Sequence, residues 1–220
     1  FQSVTAPNQV WSVDFKGQFK LGNGQWCYPL TVMDHHSRFL LACCGLETTA
    51  TEPTRRCFEH IFREFGLPLR IRSDNGVPFA SKAAGGLSAL SIWWIKLGIH
   101  PERIQPGKPQ QNGQHERMHR TLKQAETPAS HYSASGRAYP EKLMEMHYPD
   151  YFSVLKVTHT GVVYWGGGQV YVSHLLRDEY IGMEQVADGV WDLYFGPIRL
   201  GGFDQRKVGG GITSYWTIRV

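Results

Sequence analysis

Three acids in this 220-residue chain stand where phosphate chemistry could use them. Asp14 sits in "WSVDFKG" and Asp74 in "RSDNG". Glu116 sits in "GKPQQNGQHERMHRTLK", residues 107–123, the one acid among four basic residues and two histidines. Each alone has an ordinary reading. A strand Asp can face a polar rim, Asp-Asn-Gly is common turn chemistry, and a Glu116–Arg120 pair would add about 0.2–0.5 kcal/mol to a helix. As a set they suggest a site for Mg²⁺ or Mn²⁺, which prefer oxygen ligands and keep positions open for water and phosphate. Clustered carboxylates repel one another unless a cation joins them. Two such ions, about 3.5–4 Å apart, activate a water or a 3′-hydroxyl and stabilise the leaving oxygen.

Positioning those acids falls to the surrounding elements. "QVWSVDFKG" alternates Val10, Ser12 and Asp14 with Trp11, Val13 and Phe15, the period of a strand. "QWCYPLTVMD" and "RFLLACCGL" read as a hairpin around "DHHSR", in which Asp34 closes the turn rather than joining the metal set. "TATEPTRRCFEHIFREFG" places Cys57, Phe58, Ile61, Phe62 and Phe65 at helical spacing, with Gly66 as the stop. "LPLRIRSDNG" is a short strand entering a loop, "ASKAAGGLSALSIWWIKLG" a helical run broken at Gly85 and Gly86, and "IHPERI" a further strand. Trp93 and Trp94 are assigned to the core or to a subunit interface. From about Gln111 or Asn112 the stretch that holds Glu116 reads as a helix, with Glu116, His119, Arg120 and Lys123 on one face and Met118 and Leu122 opposite. The order of strands and helices predicts an α/β mixed sheet for residues 1–123.

Residues 124–150 lack a sustained period and read as a linker. From Tyr151 to Val220 short strands alternate with Gly turns, which predicts a small β-barrel. The content of 41% hydrophobic and 13% aromatic residues argues against disorder, and no run approaches the roughly 20 apolar residues that cross a bilayer. Cys27, Cys43, Cys44 and Cys57 form no C-x-x-C pair, so packed, reduced thiols in a cytoplasmic protein are expected. The net charge of +4 is uneven: residues 1–130 carry 15 Lys/Arg against 10 Asp/Glu, residues 131–220 carry 8 against 9. A basic stripe beside the acids points to nucleic acid.

At these residues the chain resembles the DDE integrase and transposase family, a retroviral-integrase-like catalytic core on an RNase H-like fold. The matches are "WSVDFKG", "RSDNGVPF" and "PGKPQQNGQHERMHRTLK" for the three acids and "TVMDHHSRFLLA" for the second and third strands. The tail, through "VYVSHLLRDEYIGMEQVADGVWDLYFGPIRLG", is similar to that of IS481-type bacterial insertion-sequence transposases. The resemblance implies an RNase H-like core followed by an SH3-like β-barrel. It implies two Mg²⁺ ions, replaceable by Mn²⁺, on Asp14, Asp74 and Glu116 as catalytic residues. It further implies hydrolysis at transposon ends and transfer of the 3′-hydroxyl into target DNA, by a homodimer or higher homo-oligomer, in a bacterial cytoplasm and nucleoid. Lys108, Gln111, Asn112, Gln114, His119, Arg120 and Lys123 are expected to contact DNA, and Asn75 to support the metal loop.

The 41 residues between Asp74 and Glu116 slightly exceed the family's usual spacing, and the junction of Lys123 with Gln124 reads as the loss of an internal stretch. Two other functions fit the same residues. One is an RNase H-like nuclease that cuts without joining; the other is a non-catalytic DNA-binding or assembly protein derived from a transposase.

Overall fold

The computed structural model describes residues 3–104 and 128–208, with backbone alone at 212–213 and 216–217. The predicted metal ligand Glu116 lies outside the described residues. So do Lys108, Gln111, Asn112, Gln114, His119, Arg120, Lys123 and the junction at 123/124. The chain divides into two compact units, one from Phe1–Ala80 and Trp93–Leu143, the other from Ser81–Ile92 and Met144–Val220.

The first unit is built on a mixed sheet. Its strands are β1 (Val10–Phe15), β2 (Phe19–Lys20), β3 (Trp26–Asp34), β4 (Leu40–Leu46), β5 (Arg70–Ser73) and β6 (His100–Arg103). The order runs β2-β3-β1-β5-β6, with β4 also paired to β3. β3 is antiparallel to β1 and to β4, whereas β1, β5 and β6 run parallel. This is a mixed sheet of the RNase H-like kind. A strand that joins a parallel neighbour needs a crossover, and helix α1 (Thr51–Phe65) lies in the one that leads from β4 to β5, beside β1.

Helix α1 is amphipathic. It buries Thr54, Cys57, Phe58, Ile61 and Phe62, while Glu52–Arg56 and Arg55–Glu59 pair at i,i+4 on the outer side. Phe62 meets Trp11 of β1 with ring centroids 5.9 Å apart, and Phe58 meets Trp94 edge-on at 5.1 Å. Trp94 belongs to helix α2 (Ala89–Lys96), and both Trp93 and Trp94 are core side chains. Each buried aromatic stabilises the fold by roughly 1.5–3 kcal/mol in transfer free energy.

Gly66 ends α1 at φ 76°, and a Cβ there would lie 2.5 Å from the Ser135 carbonyl oxygen. That close approach seats residues 132–139, within the stretch read as a linker, against the end of α1 and the loop before β5. Ser135 Oγ donates to Leu67 O (2.7 Å), Asn8 Nδ2 to Ser133 O (2.7 Å), and the Arg137 guanidinium to the carbonyls of Pro68, Leu97 and Gly98.

The thiol expectation is corrected in part. Cys44 of β4 and Cys57 of α1 form a disulfide, while Cys27 and Cys43 are free. A 13-residue separation in sequence does not reveal that the outer strand and the crossover helix bring these two side chains together.

The second unit holds β7 (Ser153–Lys156), β8 (Val162–Trp165), β9 (Gly168–Tyr171), β10 (Tyr180–Ala187), β11 (Val190–Phe195), β12 (Ile198–Asp204), β13 (Ile212–Thr213) and β14 (Trp216–Thr217). The expected SH3-like barrel is not formed. One sheet runs β14-β12-β11-β10-β7 and a second β13-β9-β8, and neither closes on itself among the described residues. The reason is local pairing. Gly166 and Gly167, at φ 56° and 80°, fold β8 tightly onto β9, and β13 takes the free side of β9. The β8–β9 hairpin therefore does not bridge the open ends of the larger sheet. The core of this unit includes Ile181, Met183, Leu193, Phe195, Leu200 and Phe203.

Candidate catalytic carboxylate site

Because β1 and β5 are parallel neighbours, their C-terminal ends share one sheet edge. The register pairs Val10 with Arg70, Trp11 with Ile71 and Ser12 with Arg72. Two residues beyond Ser12 is Asp14, and two beyond Arg72 is Asp74. Both acids thus leave the sheet on the same face of adjacent strands, which lie about 4.8 Å apart.

Electrostatics registers the proximity. The Asp74 carboxyl is pushed above its ordinary value, first by burial and then by the Asp14 charge, while the Gly76 N–H opposes both. Gly76 N donates to Asp74 Oδ1 at 3.0 Å, and a Cβ on Gly76 would lie 3.3 Å from both carboxylate oxygens. Glycine therefore lets the backbone wrap the acid closely. Asn75 Nδ2 donates to Ile104 O at 3.0 Å, tying the loop to the end of β6. Asp14 carries the Lys16 ammonium on Oδ2 at 3.0 Å, and its carbonyl accepts from Thr31 Oγ1.

Below the two acids lies a polar row that the sequence reading did not single out. Ser12, Arg72 and Glu102 are register partners across β1, β5 and β6. Arg72, only 4% exposed, donates from Nε to Glu102 Oε2 at 2.7 Å, and Arg70 lies 3.7 Å from the other Glu102 oxygen. His35 closes the row, with Nδ1 3.1 Å from Ser12 Oγ and Nε2 3.4 Å from an Arg72 nitrogen. Burial and the Arg72 charge lower the His35 pKa to about 4, so the ring is neutral at pH 7. Period-2 alternation was the available signal: Ser12 and Arg72 each stand two residues before an acid.

Asp34 is fully buried and serves the turn. Its Oδ1 accepts from Asn8 N at 2.7 Å and its Oδ2 from Ser37 N and Ser37 Oγ. Among the described residues no three His, Cys, Asp or Glu side chains converge as a metal site. Two of the three predicted acids meet here, and the third lies outside the described residues.

Residues 4–109 match a family model described as "Integrase core domain", and residues 97–139 match a second model of the same description. The chain carries an integrase core domain. The two matches together take in residues 4–139 and mark them as a DDE-type integrase core of the polynucleotidyl-transferase class.

Among curated proteins the core is 35% identical over 121 residues to the Gag-Pol polyprotein of baboon endogenous virus (strain M7), covering 55% of this chain and 7% of that protein. It is 33% identical over 121 residues to the Pol polyprotein of radiation murine leukemia virus (strain Kaplan), covering 55% of this chain and 20% of that protein. The chain thus spans a fifth or less of the curated relatives it matches.

The expected kinship with IS481-type bacterial transposases is corrected by these findings, because the relatives found are retroviral. The bacterial and nucleoid setting loses its support with it. Among solved structures, the HTLV-2 integrase catalytic core domain in complex with magnesium (trimeric form) covers 53% of this chain and 73% of its own, at 17% identity and TM-score 0.39. The simian T-cell lymphotropic virus intasome in complex with PP2A regulatory subunit B56 gamma covers 90% of this chain and 80% of its own, at 15% identity and TM-score 0.49. No helix among the described residues is long and apolar enough to cross a membrane.

Proposed function

We propose that this chain cuts a phosphodiester near the 3′ end of its element's DNA and transfers the freed 3′-hydroxyl into a second DNA, with Asp14, Asp74 and Glu116 as the catalytic acids. The observation that carries this reading is the placement of Asp14 and Asp74 on the adjoining ends of parallel β1 and β5, inside the span of the integrase core match. Glu116 falls within the second match, and its assignment rests on sequence.

The two carboxylates suit a divalent cation. They repel one another, both retain contact with solvent, and one already attracts an ammonium group. Asp14, Asp74 and Glu116 would hold two ions, Mg²⁺ first and Mn²⁺ as its substitute. Bound there, the ions supply Lewis acidity toward phosphate oxygens and a water of lowered pKa.

The remaining work falls to the chain. Gly76 N–H and the Asn75 anchor orient Asp74, and the β1–β5 ladder sets its distance from Asp14. Lys16 balances Asp14 and can turn to a phosphate oxygen. Lys108, Gln111, Asn112, Gln114, His119, Arg120 and Lys123 would bind sugar and phosphate, positioning DNA without reading its bases. DNA and further copies of this chain are the proposed partners.

The test supplies DNA with a recessed 3′ end, a plasmid target and Mg²⁺, and separates hydrolysis from joined product on a gel. Asp14→Asn, Asp74→Asn and Glu116→Gln should each lower joining by more than the roughly 10–100-fold that a lost outer-shell partner costs. Full joining by Glu116→Gln would remove Glu116 from the set. Hydrolysis without joining by the unmodified chain would favour the nuclease reading.

A further inference from the structure

One element beside the acids has no role in the core. β1 stops at Phe15, opposite Leu30, but β3 extends back to Trp26, where only β2 accompanies it through the pairs Phe19–Cys27 and Lys20–Trp26. β4 flanks β3 as far as Tyr28, so at about 3.3 Å per residue the two-stranded part of β3 runs some 7 Å past the sheet, and the β2–β3 turn lies farther still. It leaves the sheet at the edge that carries Asp14 and Asp74.

Residues 17–26 are all exposed. They nevertheless include Phe19 at 51%, Leu21 at 44% and Trp26 at 43% exposure, with Lys20 Nζ 5.3 Å from the Trp26 ring. Alternation along β3 carries the face of Asp14, through its partner Thr31, to Cys27 and so to Phe19. Trp26 and Lys20 occupy the other face. Residues 17–26 hold one lysine, Lys20, and no acid, while Lys16 is paired with Asp14.

A two-stranded ribbon has no interior, so packing within this unit explains none of these large apolar side chains. Their company decides what covers them. Positive charge without acids complements a polyphosphate, and exposed aromatic rings stack on bases that have left a duplex. We propose that the β2–β3 hairpin is a DNA-binding arm that holds unpaired bases beside the cleaved phosphate. Phe19 stacks on the catalytic side, and Trp26 with Lys20 grips the strand on the other. This rests on the DNA-joining reading for the identity of the strand. It adds the element of this chain that takes the unpaired stretch of a recessed end.

The experiment measures binding of the full chain, without divalent cation, to fluorescent DNA carrying either a short single-stranded end or a blunt end. 5-Iodouracil in the unpaired stretch is photocrosslinked and the attached residue mapped. The expected result is crosslinking to Phe19 or Trp26, and about tenfold weaker binding of the overhang DNA by Phe19→Ala and by Trp26→Ala. Blunt DNA should be little affected. Leu69→Ala, at a site 50% exposed but before β5 at the far edge of the sheet, should bind like the parent. Unchanged overhang affinity in both aromatic variants would overturn the proposal. So would loss of self-association in those variants with DNA affinity unchanged, since the arm would then pair with a second copy. Because binding is read without turnover, a chain that binds through the arm yet joins no strands would overturn the joining reading alone.

Discussion

Arg72 stands on the strand that leads into Asp74, two residues before that acid and level with Ser12 of β1. Its guanidinium is buried against Glu102 one layer beneath the acids. Removing one member of such a pair leaves a buried charge uncompensated, so Arg72→Met should cost about 3–5 kcal/mol in urea unfolding. Arg72→Met with Glu102→Met should recover much of that loss. Equal losses in the single and double variants would show that the pair is not coupled. Lysine is a poor replacement, because it lacks the planar fork that spans Glu102 and His35.

His35 gives the row a pH signature. Its folded pKa, about 4, lies below the ordinary 6.5, so the unfolded chain binds more protons between those values. Its contribution to stability is therefore fully present above pH 6.5 and is lost as pH falls toward 4. Denaturation midpoints between pH 4 and 7 should rise with pH, and His35→Gln should flatten that slope. An equal slope in the variant would assign the effect to other groups.

At the scale of elements, α1 and the segment 132–139 that packs on its end act together. Phe62 touches Trp11, Phe58, Trp93 and Tyr139, so Phe62→Ala should cost about 3–5 kcal/mol. Gly66→Ala should also destabilise, through both its positive φ and the clash with Ser135 O, and amide exchange at Leu67 and Ser135 should quicken first.

Elements of this kind were legible in the sequence where periodicity is local: β1, β3, β4, α1 and the Gly66 stop follow from residue spacing alone. Pairing between distant strands was not. Nothing in "VVYWGGGQVYV" tells β9 to take β13 as its neighbour, so the tail suggested a closed barrel where two open sheets form. The Cys44–Cys57 bond escaped for the same reason. For the candidate site, residue types and order offered three acids, of which the described residues include two. That Asp14 and Asp74 stand side by side required the β1–β5 register, and with it came the row through Arg72.

At the scale of the whole molecule, the second unit borrows residues 81–92 from the middle of the core sequence. Within that unit Gly85 lies so close to β12 that a Cβ would meet Arg199 O at 3.2 Å. A chain ended at residue 143 deprives this segment of its partners. Limited proteolysis should then cut the truncated protein within 81–92 sooner than the full chain. Equal cleavage times would show that the segment holds without the C-terminal strands.

The parallel pairing of β1 with β5 also governs which changes of length the enzyme can absorb. Asp14 and Asp74 are held together by ladder hydrogen bonds, not by the chain between them. Residues added in the exposed turn after β4, at 47–50, lengthen a tether and leave the two acids in place. Removing one residue from 71–73 instead turns Asp74 to the opposite face of the sheet. Drift among its descendants should therefore collect insertions at the first place and none at the second.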